Sequence, residues 1–421
     1  MKKIILSLSA VFICGSLSID AQNIVPKKRC YFEEHLKKLK ESDPMLESQM
    51  QALETSVQEQ IKNNQQQLEN SRATITIPVV MHIITNTGDI SDARVQEQMD
   101  VLNQNYGGLN THPMSPFDDN LKANTGVQFC LAKRDQTGKA TTGIERRKGI
   151  SHFFCENGPN DDMKHYSSDG LDQWDPTKYM NIWVCNTGGN IAGFAGPPTG
   201  SLSPNFGLVV SCEYFGITGT TAPFNEGCTA THELAHSFFI YHLWGDPGNC
   251  ATDYCADTPP QNTFTEGTAS GVKTDNCSPN APGIMYMNFM DYTDDNIMAN
   301  FTPNQAARMQ AIFASGQKLH SLSTSTACSH VSIEETENIQ NINIYPSPTS
   351  GKVNINFSII NPCDVNVSLH NIIGAEIYSF NKTKASVVDA DVDISNQSSG
   401  IYFVKIKTEN QSVTQKITLV K

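Results

Sequence analysis

The sequence has too little positive charge to meet a polyanion. Its 30 Lys and Arg stand against 43 Asp and Glu, a formal net charge of −13, and nothing basic accumulates, so nucleic acid is excluded as the expected partner. A membrane-spanning run is also missing. The apolar stretch from Ile4 to Cys14, behind Lys2 and Lys3, is too short to cross a bilayer. With Ser18-Ile19-Asp20-Ala21 after it, it reads as a signal peptide over residues 1–21, cleaved after Ala21. A lipoprotein reading through Cys14 is disfavoured because Ile13 precedes it where a small residue is expected. Full cysteine pairing is lacking too. Of 12 cysteines, Cys14 leaves with the signal, and the odd remainder keeps at least one thiol where disulfides are the default. The hydrophobic content of 38% over 421 residues suffices for more than one core.

What is present is the stretch His232-Glu233-Leu234-Ala235-His236, with His242 after it. Histidines four apart on a helix share one face, so both imidazoles reach one ion. Glu233 follows the first of them and can lean over the metal as a general base without binding it. His242 becomes a third ligand only if the chain turns sharply after His236. Three neutral nitrogens with an open fourth position describe a catalytic zinc rather than a structural one. A bare HExxH is a moderate signal, and the plain alternative is an amphipathic helix with ordinary histidines. The third histidine counts against that alternative.

Further along stands Asn288-Phe289-Met290-Asp291-Tyr292-Thr293-Asp294-Asp295. Together the two stretches resemble the metzincin pattern, in which a methionine turn lies beneath the zinc. Leu243-Trp244-Gly245-Asp246, Asp257-Thr258-Pro259 and Phe301-Thr302-Pro303 narrow the resemblance to the pappalysin family of metalloproteases, over residues 74–315. The resemblance implies a secreted zinc endopeptidase acting on protein and peptide substrates. His232, His236 and His242 would hold zinc, with Glu233 as base, Tyr292 near the oxyanion and Met290 as a packing floor. Asp295 stands where relatives line the pocket just beyond the scissile bond. A carboxylate there selects arginine, then lysine. Cys250 and Cys277 match positions that the family pairs. Relatives bind calcium near Asp253, Asp257 and Thr258, whose hard oxygens suit that ion; an ordinary acidic turn is the alternative.

The chain departs from the family at position 239, where relatives carry Gly or Asn and this sequence has Phe. A bulky residue in a left-handed turn costs about 1–2 kcal/mol. Either the turn is built differently or packing carries the strain. Phe239 is the main support for a rival reading, a catalytically decayed scaffold serving as a secreted binding or adhesion protein. Intact Glu233 speaks against it and against a structural zinc module. Relatives also have a cysteine where Ile297 stands here, which leaves Cys255 without an obvious partner. Cys212 and Cys228 are a guessed staple.

The fold class expected is α+β: a metzincin-like protease domain with a mixed sheet and a zinc helix, then a small all-β immunoglobulin-like sandwich. Residues 22–72 are polar and glutamine-rich, with helices over 33–40 and 44–70, and read as a propeptide. Its Arg29-Cys30 is similar to an Arg-Cys element of pappalysin propeptides, and a thiolate is a good fourth zinc ligand. A plain disulfide is the alternative for Cys30. Ser71-Arg72 is a fitting place for the enzyme to trim itself.

The catalytic domain is expected over 73–320. It has strands at 74–85, 126–133, 179–185 and 208–212, a helix capped by Ser91, a loop over 188–203 and a closing helix from about Thr302. A linker over 321–340 follows. Residues 341–421 alternate as short strands. Tyr345-Pro346-Ser347-Pro348-Thr349-Ser350-Gly351 and Ser399-Gly400-Ile401-Tyr402 resemble the type IX secretion sorting domain of Bacteroidetes. That implies export across the outer membrane, to the medium or the cell surface. A generic immunoglobulin-like binding module is the alternative.

Overall fold

The computed structural model describes residues 28–421 other than 71–73, 87–89, 189, 200, 201, 203, 204, 247, 330–337 and 410, with backbone alone over 64–70. The expected signal peptide and the Ser71–Arg72 bond lie outside the described residues. The chain divides into two compact units at 331/332. The first holds β1 (Lys28–Cys30), α1 (Phe32–Ser42), α2 (Leu46–Asn70), β2 (Ile75–Thr85), α3 (Asp92–Tyr106), β3 (Val127–Leu131), β4 (Ile144–Lys148) and β5 (Met180–Cys185). It continues with β6 (Ile191–Ala195), β7 (Leu208–Ser211), α4 (Cys228–Ser237), β8 (Glu266–Gly267), β9 (Tyr292–Thr293), α5 (Pro303–Phe313) and α6 (His320–Ser323). The second unit holds β10 (Ile339–Tyr345), β11 (Lys352–Asn371), β12 (Glu376–Asp393), β13 (Gly400–Lys407) and β14 (Ser412–Leu419).

β2 is the strand around which the sheet forms. Its residues from Ile77 to Thr85 are all buried, as an unbroken β-branched run predicts for a strand covered on both faces. The sheet order is β1-β6-β7-β5-β2-β3, and β4 pairs with the later part of β2. Every paired neighbour runs parallel except β6 and β7. On α3 the Ser91 hydroxyl accepts the Arg94 amide, and Val95, Met99, Val101 and Leu102 are buried. On α5 Thr302 and Gln305 form a reciprocal cap with Pro303 at the first helical position. All ten residues of α4 are buried. That helix therefore derives its stability from packing rather than from an amphipathic face.

Three expectations need correction. The loop over 188–203 contains strand β6, hidden in the sequence because Gly193 interrupts a five-residue apolar run between Gly/Pro-rich flanks. The linker over 321–340 is not a linker at its start. His320–Ser323 is helical, Leu322 and Ala327 are buried, and Cys328 is bonded to Cys130. Its Ser/Thr-rich composition reads as linker only because that covalent tether is invisible along the chain. Cys212 and Cys228 do not pair, since Cys228 keeps a free buried thiol.

The second unit is all-β and antiparallel. The 20-residue β11 bonds to β10, β12 and β13. Val353, Ile355, Phe357, Val365, Val367 and Leu369 from β11 join a core of their own with residues of the other strands.

Candidate active site

Helix α4 ends in a turn made by two backbone bonds. The Ile240 amide returns to the Ala235 carbonyl and the Phe239 amide to that of His236, each at 3.0 Å. This is the Schellman arrangement, with the left-handed position filled by Phe239 at φ 64° instead of glycine. The turn is thus the ordinary one, and packing carries the strain: Phe239 is buried, and its carbonyl accepts from Arg308 Nη2 at 3.0 Å.

That turn brings the third histidine back over the first two. The Nε2 atoms of His232, His236 and His242 lie 3.0–3.3 Å from one another. Each Nδ1 faces an oxygen: the Phe289 carbonyl at 2.6 Å, the Ile240 carbonyl at 2.8 Å and Asp246 Oδ1 at 2.7 Å. The protons therefore sit on Nδ1 and the three Nε2 lone pairs converge. Burial pushes all three imidazoles below their ordinary range, which keeps them in the neutral, ligating form. Phe32 stacks on His236 at 4.0 Å and Trp244 on His242 at 4.4 Å. Met290, next to the Phe289 whose carbonyl faces His232, is fully buried, and its amide is held by Asn288 Oδ1 at 2.9 Å.

Glu233 is completely buried, and its Oε1 has no hydrogen-bond partner. Burial pushes its carboxyl well above the usual range. An orphaned carboxylate beside three convergent imidazole nitrogens fits a divalent cation, which stabilises the ionised form. Gly193 on β6 makes the room: a Cβ there would meet Glu233 Cγ at 2.9 Å and the Val209 carbonyl at 3.0 Å. The Tyr292 hydroxyl stands 3.1 Å from His242 Nε2.

Strand β1 places two more side chains here. Among the described residues, the ligand atoms of Cys30, His232, His236 and His242 all lie within 4.8 Å of one another. Cys30 Sγ is 3.5 Å from Glu233 Oε2 and 3.6 Å from His236 Nε2. Arg29 beside it is also buried. It donates to Asp295 Oδ1 at 2.7 Å and to the Thr293 carbonyl at 2.6 Å, and its guanidinium lies 4.3 Å from the Phe224 ring. The other oxygen of Asp295 accepts the Glu226 and Cys228 amides at the start of α4. The sequence singled out Cys30 and Asp295 separately. It gave no sign that β1 places Arg29 on Asp295, because three residues show no period.

The remaining predicted residues lie elsewhere. Asp253 accepts the Thr258 hydroxyl at 2.7 Å and the Cys255 amide at 3.0 Å. Asp257 accepts the Thr302 hydroxyl and the Asn304 amide at the start of α5. Both acids thus accept hydrogen bonds from protein groups. Cys250 and Cys277 are bonded, and Cys255 is a free buried thiol.

A family profile described as pregnancy-associated plasma protein-A matches residues 165–314, and one described as a secretion system C-terminal sorting domain matches 343–420. An extracellular metalloprotease of Arthroderma otae is 30% identical over 244 residues, covering 56% of this chain and 77% of that protein. Mature mirolysin of Tannerella forsythia, solved in complex with a cleaved peptide, is 37% identical with a TM-score of 0.57. The match covers 60% of this chain and 97% of that one. A mutant of promirolysin from the same organism is 33% identical with a TM-score of 0.59, covering 70% and 96%. No helix among the described residues is long and apolar enough to cross a membrane.

Proposed function

This chain belongs to the pappalysin family of metalloproteases and is a secreted zinc endopeptidase with a type IX sorting domain; from that premise we propose that Glu233 is its general base and that residues 22–72 hold it latent. The remaining bounds are proposed as a catalytic domain from 73, extended to 331 by the Cys130–Cys328 bond, and a sorting domain over 341–421.

His232, His236 and His242 would hold the ion, and zinc when bound supplies Lewis acidity to the water and to the scissile carbonyl. Glu233 takes the proton from the attacking water and returns it to the leaving nitrogen. Tyr292 donates a hydrogen bond to the oxygen that gains charge. Asp295 pairs with an arginine, and less well a lysine, just after the scissile bond. The observation that carries this reading is the seating of Arg29 and Cys30 together. One fills the carboxylate pocket as a substrate arginine does, and the other takes the place of the water. β1 also occupies the edge of β6, where a substrate backbone can add as a strand once β1 leaves. The larger share of this chain matched by the pro-form than by the mature relative, 70% against 60%, supports the same reading. The decayed-scaffold alternative loses its main support, because packing carries the Phe239 turn.

The test separates metal from base. Glu233→Ala is expected to keep zinc by elemental analysis and lose peptidase activity by roughly 10²–10⁴-fold, whereas His236→Ala loses both. Cleavage by Glu233→Ala at the wild-type rate would overturn the mechanism.

A further inference from the structure

Arg308 on α5 is a full charge with 1% of its surface exposed, and the proposed reaction does not use it. Its partner is Glu54 on α2, in two parallel bonds: Nη1 to Oε1 at 2.7 Å and Nη2 to Oε2 at 2.8 Å. The bond from Nη2 to the Phe239 carbonyl pins the guanidinium to the turn between the second and third histidines. The rings of Phe239, Tyr241 and Tyr254 stand 5.7, 5.4 and 5.4 Å from it. A planar fork inside an aromatic cage is shaped for one carboxylate.

The two halves of this clasp belong to different parts of the chain. Arg308 and its rings come from the catalytic unit, Glu54 from the segment proposed to be shed. Around Glu54, the residues Leu46, Met50, Leu53, Val57 and Ile61 line up at helical spacing and pack into the catalytic core. Loss of α2 therefore bares an apolar groove that holds the Arg308 guanidinium. The clasp owes nothing to zinc, Cys30 or Arg29, so it keeps its affinity after the latency contacts are broken.

We infer that Arg308, with Phe239, Tyr241 and Tyr254, forms a carboxylate-binding exosite filled here by Glu54 and, after shedding, taken again by the released α2 helix acting in trans. This rests on the latency reading. A bidentate pair in a dry cage is strong only while both partners are present, so replacing the carboxylate by its neutral isostere removes recognition and leaves the helix shape intact.

Two measurements test it. In the full chain, Glu54→Gln should raise amide hydrogen exchange across 46–63 at least tenfold while Lys28–Cys30 stays protected; unchanged exchange over 46–63 would overturn the clasp. In the self-processed enzyme, a synthetic peptide spanning residues 44–63, which lacks Arg29 and Cys30, should bind by fluorescence anisotropy. Its Glu54→Gln form should bind at least tenfold more weakly. Equal binding of the two peptides would overturn the exosite. A scrambled helix of the same charge competing equally well would overturn the assignment to the chain's own segment. A chain that never sheds the segment keeps the site filled and overturns this inference together with the latency reading. A chain that sheds it and ignores the peptide overturns this inference alone.

Discussion

Phe239 takes a backbone angle that costs a bulky residue about 1–2 kcal/mol, and its surroundings explain why it stays. The ring is 3% exposed, lies 5.2 Å from Tyr241, and belongs to the cage around Arg308. Truncating a buried Phe costs about 3–5 kcal/mol, more than the strain relieved. Phe239→Gly is therefore expected to lower stability by about 2 kcal/mol net, read as a fall in Tm, with zinc content unchanged. Relief of the backbone strain taken alone would predict the opposite sign. A rise in Tm would show that the ring contributes nothing. The convergence of the three histidines was legible because sharing one ion fixes both residue type and spacing, and Glu233 was singled out only by its place after the first of them. Gly193 was not, because its reason is the Glu233 side chain, forty positions away in sequence.

At the scale of elements, long apolar or capped segments were legible and short ones were not. β2, α3 and α5 carry a β-branched run, a serine cap and a capping box, and each lies where the sequence placed it. β1 and β6 have three and five residues, too few for a period to show. β1 exists as a strand only through β6, by the Lys28 amide on the Asn190 carbonyl and the Tyr31 amide on that of Gly193, whereas β6 is also held by β7. β1 is also where latency can be tested. Cys30→Ser should give an unprocessed chain with more peptidase activity than wild type, measured on a peptide with arginine after the scissile bond. Amino-terminal sequencing of the trimmed product should begin at Arg72. Asp295→Asn keeps an oxygen for the Glu226 and Cys228 amides and removes the charge, so it should lower kcat/KM for arginine relative to a neutral residue. An unprocessed Cys30→Ser chain as silent as wild type, or an arginine preference untouched by Asp295→Asn, would end the two proposals respectively.

At the scale of the whole molecule, the order of a protease followed by a sorting tail was legible from phrases of sequence, and the point of division was not. Composition places the start of the linker at 321, but Leu322, Ala327 and Cys328 are held in the catalytic unit. Truncation after residue 331 should leave a folded, active enzyme retained inside the native host's cell envelope. Truncation after 320 should cost a further 2–4 kcal/mol or so, the usual worth of a native disulfide, and show a lower Tm. Equal Tm values for the two truncations would deny the tether any role in stability, and normal export of either would deny the tail its sorting role.

The same bond bears on how load travels through the protein. A pull on the tail enters the first unit at Cys328 and passes straight across sulfur to Cys130, in β3 at the end of the sheet. The chain between those two cysteines, which contains the three histidines, Glu233 and the methionine turn, is closed into a covalent loop that this path bypasses along the backbone. A pull on the tail is therefore expected to load that bond and β3 ahead of the backbone that carries the three histidines.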